Sequence, residues 1–122
     1  MRTLTIEAQR LEAMLELAGV FDQKQDSIQK MFSQIGMDRT IEKINSTYDT
    51  NVRIGDYIIA SEQEQGFWSN DFGWSYNKTA ATGYTETDLE AYRQEDGQIK
   101  PTFFGIDDAT FVQYDKAQDF DA

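Results

Sequence analysis

Acidic side chains are the main candidates for chemistry in this chain, because the common catalytic and metal-binding residues are missing. The sequence has no histidine and no cysteine, whereas its 22 Asp and Glu residues outnumber 11 Lys and Arg residues. This composition excludes a thiolate nucleophile, an imidazole general base and the usual ligand sets of zinc, copper and haem. What remains is the chemistry of paired carboxylates, such as the general acid and base of a glycosidase.

No pair of carboxylates is marked out for that chemistry. Asp107 and Asp108 are adjacent in the chain, but adjacent side chains point to opposite faces of a strand and lie about 100° apart on a helix. We interpret them as a turn or cap before the segment ATFVQYD. Lys100 near these acids would suit a magnesium-dependent nuclease, although the acidic surroundings disfavour a nucleic-acid substrate. We therefore predict no enzyme and no catalytic residues.

Sites for nucleotides and metal ions are not predicted either. The 8 glycines are isolated, and none forms a phosphate-binding Gly-x-Gly-x-x-Gly or Walker loop. An EF-hand loop beginning at Asp49 fails, because Arg53 stands at the third ligand position and Ile54 stands where glycine is required. We expect no cofactor and no metal site.

Charge is unevenly divided along the chain. Residues 1–50 carry 6 basic and 8 acidic side chains, a net of −2, and residues 51–122 carry 5 and 14, a net of −9, which together give −11. A surface of this sign repels nucleic-acid phosphates and anionic membranes, so neither is predicted as a direct partner. An acidic surface is complementary to a basic surface of another protein, which we predict as the partner. The alternative is that the negative charge only keeps the protein soluble.

Length and composition predict one folded domain that spans residues 1–122. A chain of 122 residues can bury a core, and an aromatic content of 13% argues against intrinsic disorder. The absence of cysteine gives no sign of an oxidising compartment. The segment MRTLTIEAQRLEAMLELAGV lacks the apolar run of a signal peptide or membrane span. We therefore expect a cytoplasmic protein.

Apolar spacing predicts that residues 3–47 are helical. A stripe over residues 4–18 has the period of a first helix. Asp22 is predicted to cap a second helix that ends at Gly36, and a third, weaker helix is predicted to start after Asp38. The stripe is interpreted as core packing, and the alternative is a homodimer formed through the N-terminal helices.

Residues 52–114 are predicted to be rich in strands, so the fold class is α+β, with the helical N-terminal half packed on a small, mostly antiparallel sheet. The segments VRIGDYII, IKPTFF and ATFVQYD have strand character, and Pro101 confines the second to an edge or a strand start. GFWSNDFGWSY places aromatic residues on both sides of a Ser-Asn-Asp turn, which predicts a hairpin. Thr85 and Asp88 resemble a capping box and predict a short helix.

The segment FWSNDFGWSYNKTAATGYT is the most distinctive part of the sequence. Its Trp-Ser-Asn and Phe-Gly-Trp hairpin, followed by an Ala-Thr-x-Tyr-Thr turn, resembles small accessory proteins of phages and plasmids, of the antirestriction or anti-CRISPR type. The resemblance covers residues 67–85 and brings no catalytic residue with it. The aromatic residues are interpreted either as cross-strand pairs that hold a sheet together or as anchors of a protein interface.

These observations favour an acidic interaction protein of a phage or mobile element, which occludes a basic nucleic-acid-binding site on a host defence enzyme as a DNA mimic. Its carboxylates would stand in for phosphates. The alternatives are an oligomeric assembly or regulatory subunit, and a small carboxylate-based enzyme or ligand-binding domain. The predicted partner-binding residues are Glu62, Glu64, Trp68, Asp71, Trp74, Glu86, Asp88, Glu90, Glu95, Asp96, Asp107 and Asp108.

The last residues, 115–122, are predicted to form a solvated acidic tail. Asp115, Asp119 and Asp121 lie around Phe120 at the end of the chain, where residues are commonly poorly ordered. The alternative is that they form a docking peptide.

Overall fold

Three consecutive helices followed by a four-stranded antiparallel sheet give the chain an α+β fold. The computed structural model describes residues 3–120. The elements, in chain order, are α1 (Leu4–Leu17), α2 (Gln25–Ile35), α3 (Met37–Tyr48), β1 (Tyr57–Ser61), β2 (Gly66–Ser69), β3 (Gly73–Ser75), α4 (Glu86–Leu89) and β4 (Thr110–Gln113). Short 3-10 helices precede and follow α4, at Lys78–Ala80 and Glu90–Tyr92. The predicted fold class, with helices first and an antiparallel sheet second, is confirmed.

The apolar stripe of α1 forms the centre of the helical core. Leu11 and Leu15 are fully buried, and they share one cluster with Ile28 and Phe32 of α2 and Ile44 of α3. The predicted core packing is therefore confirmed for the centre of the stripe, whereas Leu4 at its start is 44% exposed. Within residues 3–120, no helix is long and apolar enough to cross a membrane.

The starts of the second and third helices differ from the prediction. α2 begins at Gln25 rather than next to Asp22. Its first amide is capped from another helix, because the Gln25 N–H donates to the Glu12 carboxylate of α1 at 2.8 Å. α3 begins at Met37 directly after Gly36, whose φ of 89° turns the chain within one residue. The third helix therefore starts before Asp38, not after it.

The sheet has the strand order β3-β2-β1-β4, and all neighbouring strands are antiparallel. The predicted hairpin is confirmed: β2 and β3 pair with Trp68 directly opposite Trp74. β4 returns from the end of the chain to pair with β1, with Ile59 opposite Phe111. Since strands of a hairpin reverse at each turn, the β1–β2 turn and the β2–β3 turn lie at opposite ends of the sheet.

Two predicted strand segments are irregular. β1 begins only at Tyr57, and the chain before it lies against residue 83, where the Gly83 N–H donates to the Arg53 carbonyl at 2.9 Å. The segment IKPTFF is not a strand, since only its Ile99 and Phe103 make single bridges, to Arg93 and Ile106 respectively. Pro101 in the middle of this segment cannot donate a ladder hydrogen bond.

The sheet separates two apolar layers, and α1 reaches one of them. Ile58 and Phe67 face that layer, which includes Tyr114. The guanidinium of Arg10, completely buried on α1, stacks 3.9 Å from the centroid of the Tyr114 ring and pairs with Glu7 at 3.2 Å. A buried cation between a carboxylate and an aromatic face is stabilised by both. This contact joins the helical half to the sheet.

Residues 115–120 lie against the sheet rather than forming the predicted solvated tail. The Phe120 ring centroid is 5.0 Å from that of Phe67, and the Phe120 N–H donates to the Tyr76 carbonyl at 3.0 Å. The Asp119 carboxylate accepts from the Lys78 N–H at 2.8 Å. Asp121 lies outside the described residues.

Candidate interaction surface

The aromatic hairpin is a structural element of the sheet. Trp68 and Trp74 pack edge to face at a centroid distance of 5.4 Å, and both contact Phe103. The Trp68 indole N–H donates to the Asn70 side chain at 2.9 Å. Both indoles are half-buried, as expected for cross-strand pairs that stabilise a sheet face. Their remaining exposed edges are the part of these residues that a partner could contact.

Asp71 holds the hairpin to the chain segment that follows α3. Its carboxylate accepts the Asn51 N–H through both oxygens, at 2.9 and 3.0 Å. Asp71 lies in the β2–β3 turn, at the end of the sheet opposite the β1–β2 turn. It is therefore separated from the predicted acids at the β1–β2 turn and serves a local structural purpose.

Asp88 caps α4 and binds a cation. Thr85 and Asp88 exchange side-chain-to-backbone hydrogen bonds, so the predicted capping box is confirmed, and Arg53 donates to the same carboxylate. Partial burial acts to raise the pKa of Asp88, but the hydrogen bonds from Thr85 and Arg53 outweigh it and the pKa is lowered. Next to it, burial raises the pKa of Tyr84 to about 12. Both residues are thus fixed in their ordinary ionisation states at neutral pH.

Asp108 organises the β1–β2 turn. Its carboxylate accepts from the Ser61 hydroxyl at 2.7 Å and from the Gln63 N–H at 2.8 Å. The hydrogen bond from Ser61 is the main cause of a lowered pKa of Asp108, and the one from Gln63 adds to it. A carboxylate held ionised in this way is a poor general acid, because that role requires a raised pKa.

Two further predicted acids have local partners within the segment 90–98. Glu90 forms a two-pronged ion pair with Arg93, at 2.9 and 3.0 Å, and Arg93 lowers the pKa of this carboxylate. Asp96 accepts the Gln98 N–H at 2.9 Å and thereby closes a tight turn. Glu95 is exposed beside it. Glu86 receives a long hydrogen bond of 3.4 Å from the Tyr57 hydroxyl.

A smaller group of acids is exposed around the β1–β2 turn and contributes little to the local structure. Within residues 3–120, the carboxylates of Glu64 and Asp107 accept no hydrogen bond, and Glu62 receives only a long one of 3.4 Å from Gln65. Asp108 joins the two chain segments that carry these acids. The structure therefore brings together four of the predicted residues, Glu62, Glu64, Asp107 and Asp108. Lys100 lies at the same end and donates to the Asp107 carbonyl at 2.8 Å.

Phe104 is the most exposed aromatic side chain of the described residues, and it is not among the partner-binding residues predicted from the sequence. Its relative exposure is 106%, compared with 61% for Phe21 and 56% for Phe72. Phe104 stands at the corner of a turn closed by the Ile106 N–H and the Phe103 carbonyl at 3.3 Å, with Gly105 at a φ of 78°. A positive φ at the third turn position is typical of a type II turn. The glycine at the third position of Phe-Phe-Gly-Ile is the sequence signal for such a turn.

Two cavities of the described residues contain predicted acids. One of about 430 Å³ has an apolar floor of Ala60, Phe67 and Val112, with Glu62 as its acid. Another of about 440 Å³ contains Asp107, Asp108 and Lys100, but Asp108 already accepts two hydrogen bonds. Among residues 3–120, no group of three or more acidic side chains is placed to hold a metal ion.

Comparisons with known proteins give no relative from which a function could be transferred. No family model, no curated protein and no solved structure matches the chain.

Proposed function

We propose that this protein is an acidic interaction protein that occludes a basic nucleic-acid-binding site on a host defence enzyme. In this proposal it acts in the cytoplasm as an inhibitor of the antirestriction or anti-CRISPR type, encoded by a phage or mobile element. Its carboxylates stand in for phosphates, and complementary charge provides fast and specific association. The proposal covers one basic patch on the enzyme rather than a long duplex site, because a net charge of −11 is modest.

The observation that carries the proposal is the group of exposed acids around the β1–β2 turn. Most other predicted acids are used by the fold, as caps or ion partners of neighbouring groups. Glu62, Glu64 and Asp107 contribute almost nothing to local structure, so their charge is free to meet a partner. Charges of one sign that gather on a rigid turn create a focused field.

The test is capture of a partner from host-cell lysate by the immobilised protein, followed by reconstitution with the purified partner. We expect a nucleic-acid-binding enzyme whose nucleic acid is displaced when this protein is added, with affinity that falls steeply as salt rises. Capture of only copies of the same chain, or of a partner that keeps its nucleic acid, would contradict the proposal.

A homodimer or regulatory subunit is the second candidate, favoured by a small apolar patch on the helical half. Leu4 at the start of α1 and Ile35 at the end of α2 are 44% and 40% exposed. The two helices run side by side, since the Gln29 amide donates to Thr5 at 3.0 Å, so these two side chains lie at the same end. Light scattering during size-exclusion chromatography distinguishes a monomer from a dimer, and Leu4→Asp should dissociate a dimer built on this patch.

A further inference from the structure

Phe104 contributes nothing to the folded core. Its side chain is as exposed as in an extended peptide, whereas Phe103 and Ile106 on either side pack into the aromatic layer with Trp68 and Trp74. Burial of a Phe side chain normally stabilises a fold, and this stabilisation is not realised at Phe104. A polar residue at position 104 would serve the fold equally well.

The turn that carries Phe104 is rigid. The hydrogen bond from Ile106 to Phe103 closes it, and the Gln63 side chain donates to the Gly105 carbonyl at 2.8 Å from the β1–β2 turn. The backbone that carries the ring is thus held on both flanks. A backbone segment that is already ordered before binding loses less conformational entropy when it meets a partner.

Exposed acidic residues lie in the two chain segments that meet at this turn. Gln63, which binds the Phe104 turn, lies between Glu62 and Glu64 in the sequence, and Asp107 follows Phe104 by three residues. Consecutive Cα atoms are about 3.8 Å apart, so the backbones of these acidic residues lie close to the turn that carries the ring. The surface therefore combines a planar π face with several negative charges.

This combination matches the chemistry of an unstacked nucleotide. Proteins hold single strands with a positively charged groove for the phosphates and with aromatic or Arg side chains against which the bases stack. An Arg guanidinium would stack on the Phe104 ring in the same way, because the ring face attracts cations. A duplex offers no free base face, so a protruding ring fits a single-strand site better.

We infer that the Phe104 surface docks into a single-strand nucleic-acid-binding site of a partner protein. Phe104 takes the place of a base, and Glu62, Glu64 and Asp107 take the place of phosphates. This inference rests on the proposed function and names the type of site that is occluded.

The test compares two Phe→Ala variants in a displacement assay. The purified partner is loaded with fluorescein-labelled oligothymidine, or with a labelled duplex of the same length, and displacement is followed by fluorescence anisotropy. We expect the unmodified protein to displace the single strand, and Phe104→Ala to need at least about tenfold more protein, since one stacked base is worth about 1–3 kcal/mol. Phe104→Trp should retain displacement.

Phe72→Ala is the matched control, because it removes an exposed ring in the β2–β3 turn at the other end of the sheet. It should change displacement by less than about twofold. Thermal unfolding of both variants checks that the fold is intact. If Phe104→Ala displaces the strand as well as the unmodified protein, the docking site is wrong while the proposed function stands. If no partner loses its nucleic acid, both fail.

Discussion

Single carboxylates in this protein have distinct roles that depend on their neighbours. Asp108 accepts two hydrogen bonds and has a lowered pKa, whereas Asp107 beside it is exposed and accepts none from residues 3–120. The two residues follow a turn and precede β4, and only Asp108 has its carboxylate against Ser61 and Gln63. Adjacent acids therefore divide between structure and surface charge.

The first prediction is that Asp108→Asn reduces the pH dependence of stability at acid pH. The folded pKa of Asp108 is lowered, so its carboxylate stabilises the fold above the unfolded pKa of about 3.9, and this contribution is lost as pH falls through the folded value. The unmodified protein should have the larger free energy of unfolding, and its advantage over the variant should be largest at neutral pH and smallest at about pH 2. Urea denaturation at several pH values measures it. A difference that grows toward acid pH would contradict the assignment.

The second prediction concerns the core position Leu11. Its side chain is fully buried between α1 and the other helices, so Leu11→Ala should lower the free energy of unfolding by about 2–5 kcal/mol. Leu4→Ala is the control, since Leu4 is 44% exposed and should change stability by less than about 1 kcal/mol. Denaturant unfolding of both variants gives the comparison, and equal small losses would show that the stripe is not the core.

At the scale of elements, the positions of helices and turns depend on contacts between distant segments. α2 starts where Glu12 of α1 can cap Gln25, and the loop before β1 lies against the backbone of residues 83–84. A Cβ atom at Gly83 would overlap the Gly55 backbone, and one at Gly55 would overlap Tyr84. Glycine is needed at both positions because two backbones approach closely.

The third prediction is that Gly83→Ala is strongly destabilising because of this overlap. We expect a loss of at least about 3 kcal/mol, since the clash is with backbone and cannot be relieved by a rotamer change. Gly19→Ala separates steric overlap from backbone strain, because Gly19 has a φ of 86° but a Cβ atom there would meet no other described atom within 4 Å. Its cost should be about 1–2 kcal/mol. Similar losses in thermal unfolding for the two variants would argue against a close approach.

At the scale of the whole molecule, the position of the charge matters more than its total. The acids of α1 are unsuitable as control positions for a test of charge, because each of them has a structural contact. Glu7 pairs with buried Arg10, Glu12 caps α2 and Glu16 pairs with Lys24 at 3.6 Å. Better comparison positions are the exposed acids Asp22, Glu42 and Asp49 on the helical half. Asn is well tolerated in the left-handed conformation of residue 49.

The fourth prediction compares two triple variants with the same change in net charge. Glu62→Gln, Glu64→Gln and Asp107→Asn together should slow association with the partner at least about tenfold at low salt, because steering depends on local charge. The set Asp22→Asn, Glu42→Gln and Asp49→Asn should slow it less than about threefold. Stopped-flow association rates over a range of salt concentrations measure the difference. If both sets slow association equally, only total charge matters and the turn is not the contact.

The fold class and several local elements could be predicted from the sequence, because their signals are contained in neighbouring residues. The α1 stripe, the Trp hairpin and the Thr85 capping box all depend on spacings of a few residues, and such patterns fix helix faces, strand alternation and caps. The sign of the net charge and its uneven distribution also follow directly from the sequence. None of these features depends on contacts between distant segments.

Which acids are used by the fold and which are left exposed could not be predicted, because it depends on contacts between distant segments. Asp71, Asp88 and Asp108 look like Glu62 and Asp107 in the sequence, but their hydrogen-bond partners include Asn51, Arg53 and Ser61, which are far away in the chain. The full exposure of Phe104 likewise results from where its turn meets the sheet. Long-range contacts set these outcomes because desolvation and hydrogen bonding depend on neighbours in space.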